Sequence, residues 1–324
     1  MELEHYRKSK LSPKPQTILS AAFFQQIKVK TVFRDYSKLH LVVILWGFTA
    51  ILGKLIDLDS PVLVFYRVGA SALILAIIIS LLKIKKVDNK SSRLKMIANG
   101  LLLGTHWTLF FLAVKIANVS VCMIGMATTS LWTAILEPLI IKERSFKRYE
   151  FGLGGIMIAA IMLITGGDFN YYLGLIIAII SAGIGTLFSI INSKFTKNHH
   201  HYSIAFYQML GATAIAGFTI IGVSFWRDSL PQMTLSFSDF NWLMLLVCFC
   251  TVYAYAQYIE LLKRLSVFTI HLAYNLEPVY GMIFAAFFFQ EHHLFGPLFY
   301  CGAAIIFISV IIHPYFEKTA KQAH

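Results

Sequence analysis

Charge is what this sequence has least of. Only 14% of its 324 residues are charged and sixteen of them are acidic, against 57% hydrophobic, and a chain so poor in charge cannot clothe a water-soluble globular surface. Cysteine is scarce as well. Cys122, Cys248, Cys250 and Cys301 lie within apolar runs and form no Cys-x-x-Cys pair, which argues against a disulfide framework or a zinc site. No His-Glu-x-x-His and no Gly-x-Ser-x-Gly occurs anywhere, so an intramembrane enzyme lacks its nucleophile and base, and neither catalysis nor a cofactor is expected. Gly47 to Lys54 misses a phosphate-binding loop by one residue of spacing, and no Ser or Thr follows the lysine.

Long apolar runs are what the chain has instead. A span needs about 20 mainly apolar residues to cross a hydrocarbon core of about 30 Å. Segments that meet or approach that length run from Leu39 to Ile56, Val62 to Leu82, Met96 to Val114, Ser120 to Ile141 and Phe151 to Thr165. Five more follow, from Tyr172 to Ser193, Tyr202 to Trp226, Asn241 to Leu262, Val267 to Phe289 and Leu294 to Pro314. The expected fold is an all-α integral membrane protein of ten transmembrane helices.

The net charge of +12 is distributed by topology. Twenty-four of the twenty-eight basic residues fall in the N-terminal arm, the even-numbered loops and the tail; the odd-numbered loops hold only Lys54, Lys115 and Arg227. By the positive-inside rule the basic face is cytosolic, with both termini on it. Short juxtamembrane basic loops fit anionic lipid and not nucleic acid. Residues 1–37 read as a basic cytosolic arm, either an amphipathic helix in the headgroup layer or a solvated tail. Residues 38–168 and 169–314 read as two five-helix repeats, and 315–324 as a cytosolic tail. An odd number of spans per repeat inverts the second copy, the plan of many secondary transporters. A spacing test agrees: Asn118 to Glu143 and Ser266 to Glu291 both cover twenty-five residues, and the loop after Glu143 is basic whereas His292 and His293 follow Glu291.

Ionisable groups inside a span cost about 2.5 to 3.5 kcal/mol on insertion scales, so they face a cavity or a partner. Glu277, eleven residues beyond Ser266, and His106, eleven beyond Lys95, both fall about 16 Å into their spans, near the midplane. They come from opposite halves. Each is read as a substrate or proton-pathway residue, or alternatively as a hydrogen-bonded packing residue. Pro278 withholds a backbone donor and should break its helix, leaving a carbonyl near Ala273 or Tyr274 without its usual partner. Arg67 is read either as a contact for a substrate carboxylate or as an ion-paired or snorkelling side chain. His271, Asn275 and Tyr280 share the ninth span with Glu277, Trp107 adjoins His106, and Tyr253, Gln257 and Glu260 form a stripe expected to face the bundle interior. Glu137 is expected to pair with Lys142, and Glu260 with Lys263 and Arg264. Glycines at Gly152, Gly155, Gly183 and Gly185 are expected to permit close helix contact, with a homodimer interface as the alternative. The His199-His200-His201 triplet lacks further ligands for a metal.

Several strings resemble the drug/metabolite transporter superfamily, specifically its EamA-type members. Trp46-Gly47 followed by Lys54 resembles the start of an EamA repeat, and Pro61 with Arg67 and Ala70 its second helix. Ala113-Val114-Lys115 running into Asn118-Val119-Ser120, and Pro278 with Glu291 and Gly302, resemble its later connections. His106-Trp107, Glu137-Pro138 and Asn275-Leu276-Glu277-Pro278 resemble a bacterial subgroup. The sequence departs from the pattern at Phe48-Thr49 and at Ser130, where a proline is expected. The resemblance implies two inverted five-helix repeats in a bacterial cytoplasmic (inner) membrane. It implies a secondary transporter, on this analogy an exporter, that moves a small organic metabolite such as an amino acid by alternating access, with proton coupling as an option. A lipid-linked or nucleotide-sugar translocator and a structural or sensory membrane protein are the alternatives.

Overall fold

A computed structural model describes residues 15–117, 119–165, 172–289 and 296–322. Residues 1–14 of the arm, Asn118, and the Glu291, His292 and His293 end of the spacing test lie outside the described residues. Every regular element among the described residues is a helix. It begins with α1 (Pro15–Leu55), α2 (Ser60–Leu81), α3 (Lys90–Ile116), α4 (Val119–Ala127), α5 (Thr129–Ile140) and α6 (Arg148–Thr165). The second half holds α7 (Tyr172–Phe195), α8 (His201–Arg227), α9 (Phe237–Leu245), a π-helical stretch (Leu246–Tyr253) and α10 (Ala254–Leu261), then α11 (Val267–Tyr274), α12 (Glu277–Phe289) and α13 (Pro297–Gln322). The described part of the arm is therefore helical and continuous with the first apolar segment.

Local chemistry sets the ends. Pro61 supplies a fixed φ in the first turn of α2, where its missing N–H costs nothing. Asn89 caps α3 by accepting from the Ser91 amide at 2.9 Å, and Ser236 and Ser266 cap α9 and α11 in the same way. His200 caps α8 through Nδ1, which accepts from the Tyr202 amide, and its ring stacks on His201; the triplet thus has a structural task.

Seven described segments are long and apolar enough to cross a membrane: Val32–Leu55, Ser60–Leu81, Lys90–Ile116, Val121–Ile140, Tyr172–Phe195, His201–Arg227 and Phe237–Leu261. Tyr300–His313 is a shorter apolar helix. Two segments expected to be single spans are interrupted. The fourth breaks at Thr128 although no proline stands there, because Thr128 Oγ1 donates to the Gly125 carbonyl at 2.6 Å and Thr129 Oγ1 to that of Met126. Hydroxyls that take backbone acceptors in this way compete with the helical ladder. The ninth breaks at Asn275 and Leu276, with Glu277 and Pro278 opening the next helix. The register that aligns Asn118 with Ser266 sets Thr128 opposite Leu276, so both breaks occupy one place in the repeat.

Helices pair between the halves: α2 and α3 pack on α8, α3 and α4 on α7, α1 on α10 and α12, α2 on the π stretch, α5 on α11, and α6 on α13. Glycine permits the closest crossings. A Cβ on Gly100 would collide with the Gln208 carbonyl, and one on Gly211 with that of Ile97, so α3 and α8 touch backbone to backbone. Gly183 and Gly185 likewise make room for Trp132 and His106. Gly152 and Gly155 do not behave as expected, since a Cβ at either would meet nothing within 4 Å. They lie on the exposed side of α6.

Polar contacts gather at two ends of the bundle. At one end Asp57 N–H donates to Asp239, Arg227 pairs with Asp59 at 2.8 Å, and Lys115 donates to the Leu58 carbonyl. At the other, Arg264 meets Asp35 at 2.6 Å and Glu260 at 3.3 Å, and Lys38 meets Glu260 at 3.4 Å. The Asp35 hydrogen bond holds the Arg264 guanidinium above its ordinary range. Glu137 pairs with Arg144 at 3.2 Å in place of Lys142, because the turn after α5 folds Arg144 back toward the helix end while Lys142 stays exposed. Glu260 takes Lys38 and Arg264 rather than Lys263, the first from across the bundle and the second one helical turn along the chain.

Candidate functional site

The π stretch builds one wall of a central cavity. Widening the helix by one residue lets the Thr251 hydroxyl donate to the Leu246 carbonyl, five residues back, at 2.8 Å, and leaves the Cys250 carbonyl to accept from Trp46 Nε1 at 3.0 Å. Thr251 Oγ1 also accepts from Arg67 Nε at 2.7 Å. Arg67 is 2% exposed, and its guanidinium carbon lies 4.0 Å from the centre of the Trp107 ring. Stacking covers one face of the fork and Thr251 fixes its stem. Among the described residues no carboxylate lies within 4.0 Å of Arg67.

The opposite wall comes from the broken ninth segment. The break leaves the last carbonyls of α11 without helical partners, and Asn275 answers them: its Nδ2 donates to the carbonyls of His271 and Leu272 at 3.2 and 3.3 Å and to Ser130 Oγ at 2.7 Å. The Ala273 carbonyl, expected to lose its partner, accepts from the Leu276 amide at 3.0 Å in a tightened turn. Glu277 then opens α12, where a carboxylate is favoured by the helix dipole. No described group hydrogen-bonds to that carboxylate, which lines the same cavity as Arg67.

His106 and His271 are both present but differently employed. Both ring nitrogens of His271 are taken, Nδ1 by Thr133 Oγ1 at 2.6 Å and Nε2 by Ser189 Oγ at 3.0 Å. His106 Nδ1 lies 2.9 Å from the Ser181 carbonyl, which can only accept, so Nδ1 carries the proton. Its Nε2 is left as an acceptor with no described partner.

Between these walls lies a cavity of about 100 Å³, room for several water molecules. It brings together Arg67, His106, Trp107, His271, Asn275 and Glu277 from the sequence expectations. Tyr280 is elsewhere: its Cβ stands 3.0 Å from where a side chain on Gly47 would begin, so it seats α12 against α1. Gln257 accepts from Lys38 at 3.1 Å in the charged end cluster. Tyr253 is 41% exposed on the outer surface. The residues of this span that line the cavity are Tyr255 and Tyr258, which sequence reasoning missed because polarity set the expected face, and the polarity of Gln257 and Glu260 belongs to the charged end cluster. Tyr258 donates to Ser189 at 2.9 Å, and Tyr255 to Gln208, whose Nε2 reaches Asn192 at 3.0 Å. The three-residue spacings Tyr255/Tyr258 and Ser189/Asn192 were the available signal.

Cavity walls drawn from both repeats are matched by the family comparison, in which the EamA-like transporter family covers residues 37–166 and again 170–313. The chain belongs to that family. The division between its two matched blocks falls between α6 and α7, and the blocks carry the paired helix breaks at corresponding places. A solved structure titled only "Crystal structure of protein" is similar in fold, with a TM-score of 0.70 at 14% identity over 89% of this chain and 98% of the other. No curated protein matches. Membership makes the chain a multi-pass membrane transporter of small molecules.

Proposed function

We propose that this EamA-family chain is a secondary transporter that exports a small organic solute by alternating access between two inverted five-helix halves. The observation that carries the reading is the cavity between the repeats, which holds a buried arginine and a glutamate with no hydrogen-bond or ion-pair partner among the described residues. Counting α4 with α5, α9 with α10 and α11 with α12 as single interrupted spans gives ten helices. Exchanging each span of the first half for its counterpart in the second maps the packing pairs onto one another: α3 on α7 becomes α10 on α1, α4 on α7 becomes α12 on α1, and α3 on α8 becomes the π stretch on α2. Two-fold related halves around a central site, with broken helices beside it, are the architecture of such transporters. The basic loops orient the Asp35–Arg264 end to the cytosol of a bacterial inner membrane.

The test is transport by purified protein in liposomes against Glu277→Gln. The wild type is expected to move solute drawn from a cell extract, and the variant to insert and fold but to transport at least tenfold more slowly or without proton coupling. Wild-type transport by Glu277→Gln would remove that carboxylate from the mechanism.

A further inference from the structure

The cavity floor is hydrogen-bonded, and its protons can be placed one by one. Thr133 Oγ1 donates to the Thr129 carbonyl at 2.7 Å, so it accepts from His271 Nδ1, 2.6 Å away. The neutral ring then leaves Nε2 to accept from Ser189 Oγ at 3.0 Å, and Ser189 accepts in turn from Tyr258 at 2.9 Å. Beside this chain Asn275 Nδ2 donates to Ser130 Oγ at 2.7 Å. Ser130, Thr133, His271 and Asn275 are all buried. The Thr133–His271 and Ser130–Asn275 contacts join α5 of the first repeat to α11, and to the break that follows it, in the second. α11 leaves the turn that carries Arg264, so these contacts lie between the cavity and the basic end. The register that sets Thr128 opposite Leu276 pairs His271 with Met123, Asn275 with Ala127, Ser130 with Pro278 and Thr133 with Gly281. None of the four counterparts offers a side-chain donor. In that half α4 packs on α6 and α7, and α12 on α1, while Met123 and Met126 of α4 and Glu277 of α12 line the cavity.

Resting on the transporter reading, we propose that the Thr133–His271 and Ser130–Asn275 contacts are a latch that holds the cavity shut toward the cytosol, and that the outer closure has no counterpart, so that the empty protein rests open outward. Moving α11 away from α5 strands a buried ring donor and a buried amide donor, and each costs free energy until it is paired again. Bringing α4 against α12 gains apolar contact alone. The difference biases the two states toward the one in which the latch is formed. The breaks at Thr128 and at Asn275 and Leu276 stand at the inner ends of α5 and α11, where each half-helix can turn without carrying its outer partner. His271 is a positioning residue in this scheme: it sets the side to which the cavity opens and needs no contact with the solute.

The test uses the full chain cleared of its four native cysteines, with Met126→Cys on the cavity wall as reporter and a membrane-impermeant maleimide as probe. With the latch intact, labelling is expected to be at least tenfold faster in right-side-out vesicles than in inverted ones. Thr133→Val, which removes the acceptor for Nδ1, and Ser130→Ala are each expected to speed labelling in inverted vesicles at least tenfold and to slow it in right-side-out ones. Thr133→Ser keeps the hydroxyl and should label as the unaltered latch does. Detergent melting reports folding, and a merely structural role would lower melting without changing the sidedness. Where both latch variants fail to fold, the sidedness of the reporter with the latch intact decides alone. Equal labelling from the two faces, or faster labelling in inverted vesicles, overturns the latch. So does unchanged sidedness in folded Thr133→Val, and the transporter reading then stands if wild-type liposomes still move solute from a cell extract. If no solute moves, the transporter reading fails and the latch with it.

Discussion

Thr251 Oγ1 accepts the Nε–H of Arg67 at 2.7 Å while donating its own proton to the Leu246 carbonyl at 2.8 Å. A hydroxyl used in both senses is a fixed post, and the guanidinium it holds cannot rotate off the Trp107 ring without losing a charged hydrogen bond. Hydrogen bonds to charged groups contribute about 1.5 to 3 kcal/mol. Thr251→Val keeps the shape and removes the acceptor, so the KM of the transported solute should rise about tenfold to a hundredfold with kcat less affected, and Thr251→Ser should restore much of it. Transport kinetics in liposomes check this. Unchanged KM in the valine variant would mean that Arg67 is held by stacking alone.

That relationship marks the limit of what the sequence discloses. Apolar runs of span length, loop charge and the midplane depth of Glu277 and His106 are local quantities, readable by counting. The breaks were half legible: Pro278 announced one, whereas Thr128 makes the other with a hydroxyl that looks like any small polar residue. The polar stripe of Tyr253, Gln257 and Glu260 reads as inward because polarity should avoid lipid, but Gln257 and Glu260 serve the charged cluster at one end of the bundle and Tyr253 lies outward. Asn275 was legible as a buried polar group, but its partners Ser130 and His271 depend on which helices meet.

The glycines separate close packing from exposure. Gly100→Ala and Gly211→Ala each drive a methyl into a facing backbone carbonyl, which no side-chain rotation relieves, so α3 and α8 must part. Overpacking of this kind costs about 1–3 kcal/mol or more. Both variants should melt well below wild type in detergent or fail to purify as a single species. Gly152→Ala and Gly155→Ala meet nothing and replace a poor helix former, so their melting should be unchanged or higher. Equal tolerance at all four positions would contradict the α3–α8 packing; marked loss at Gly152 or Gly155 would point to a second copy covering α6.

Orientation is open to chemical labelling. Asp88, exposed between α2 and α3, sits on the side assigned to the cytosol, and Ser229, exposed beyond α8, sits with Arg227 at the opposite end. In a background cleared of the four native cysteines, Ser229→Cys should react with a membrane-impermeant maleimide on intact cells, and Asp88→Cys only after permeabilisation. Reaction of both from outside would reject the proposed topology.

The cluster around Asp35 joins the first helix of one repeat to the turn between α10 and α11 in the other. Asp35 is 3% exposed and meets Arg264 at 2.6 Å, and Arg264 and Lys38 share Glu260. Removing either member of the Asp35–Arg264 pair strands the other, so Arg264→Gln and Asp35→Asn should each lower the melting temperature, and the double variant should lose less than their sum. The coupling expected for residues in one network is about 0.5 to 3 kcal/mol. A pair that ties the halves together at the basic end must also part if the cavity opens there. Arg264→Gln should therefore speed labelling of Thr49→Cys, on the cavity wall, by an impermeant reagent supplied from the cytosolic side in inverted vesicles. Additive melting losses would show that the two residues act independently, and an unchanged labelling rate alongside strong coupling would make the cluster a structural tie that transport does not break.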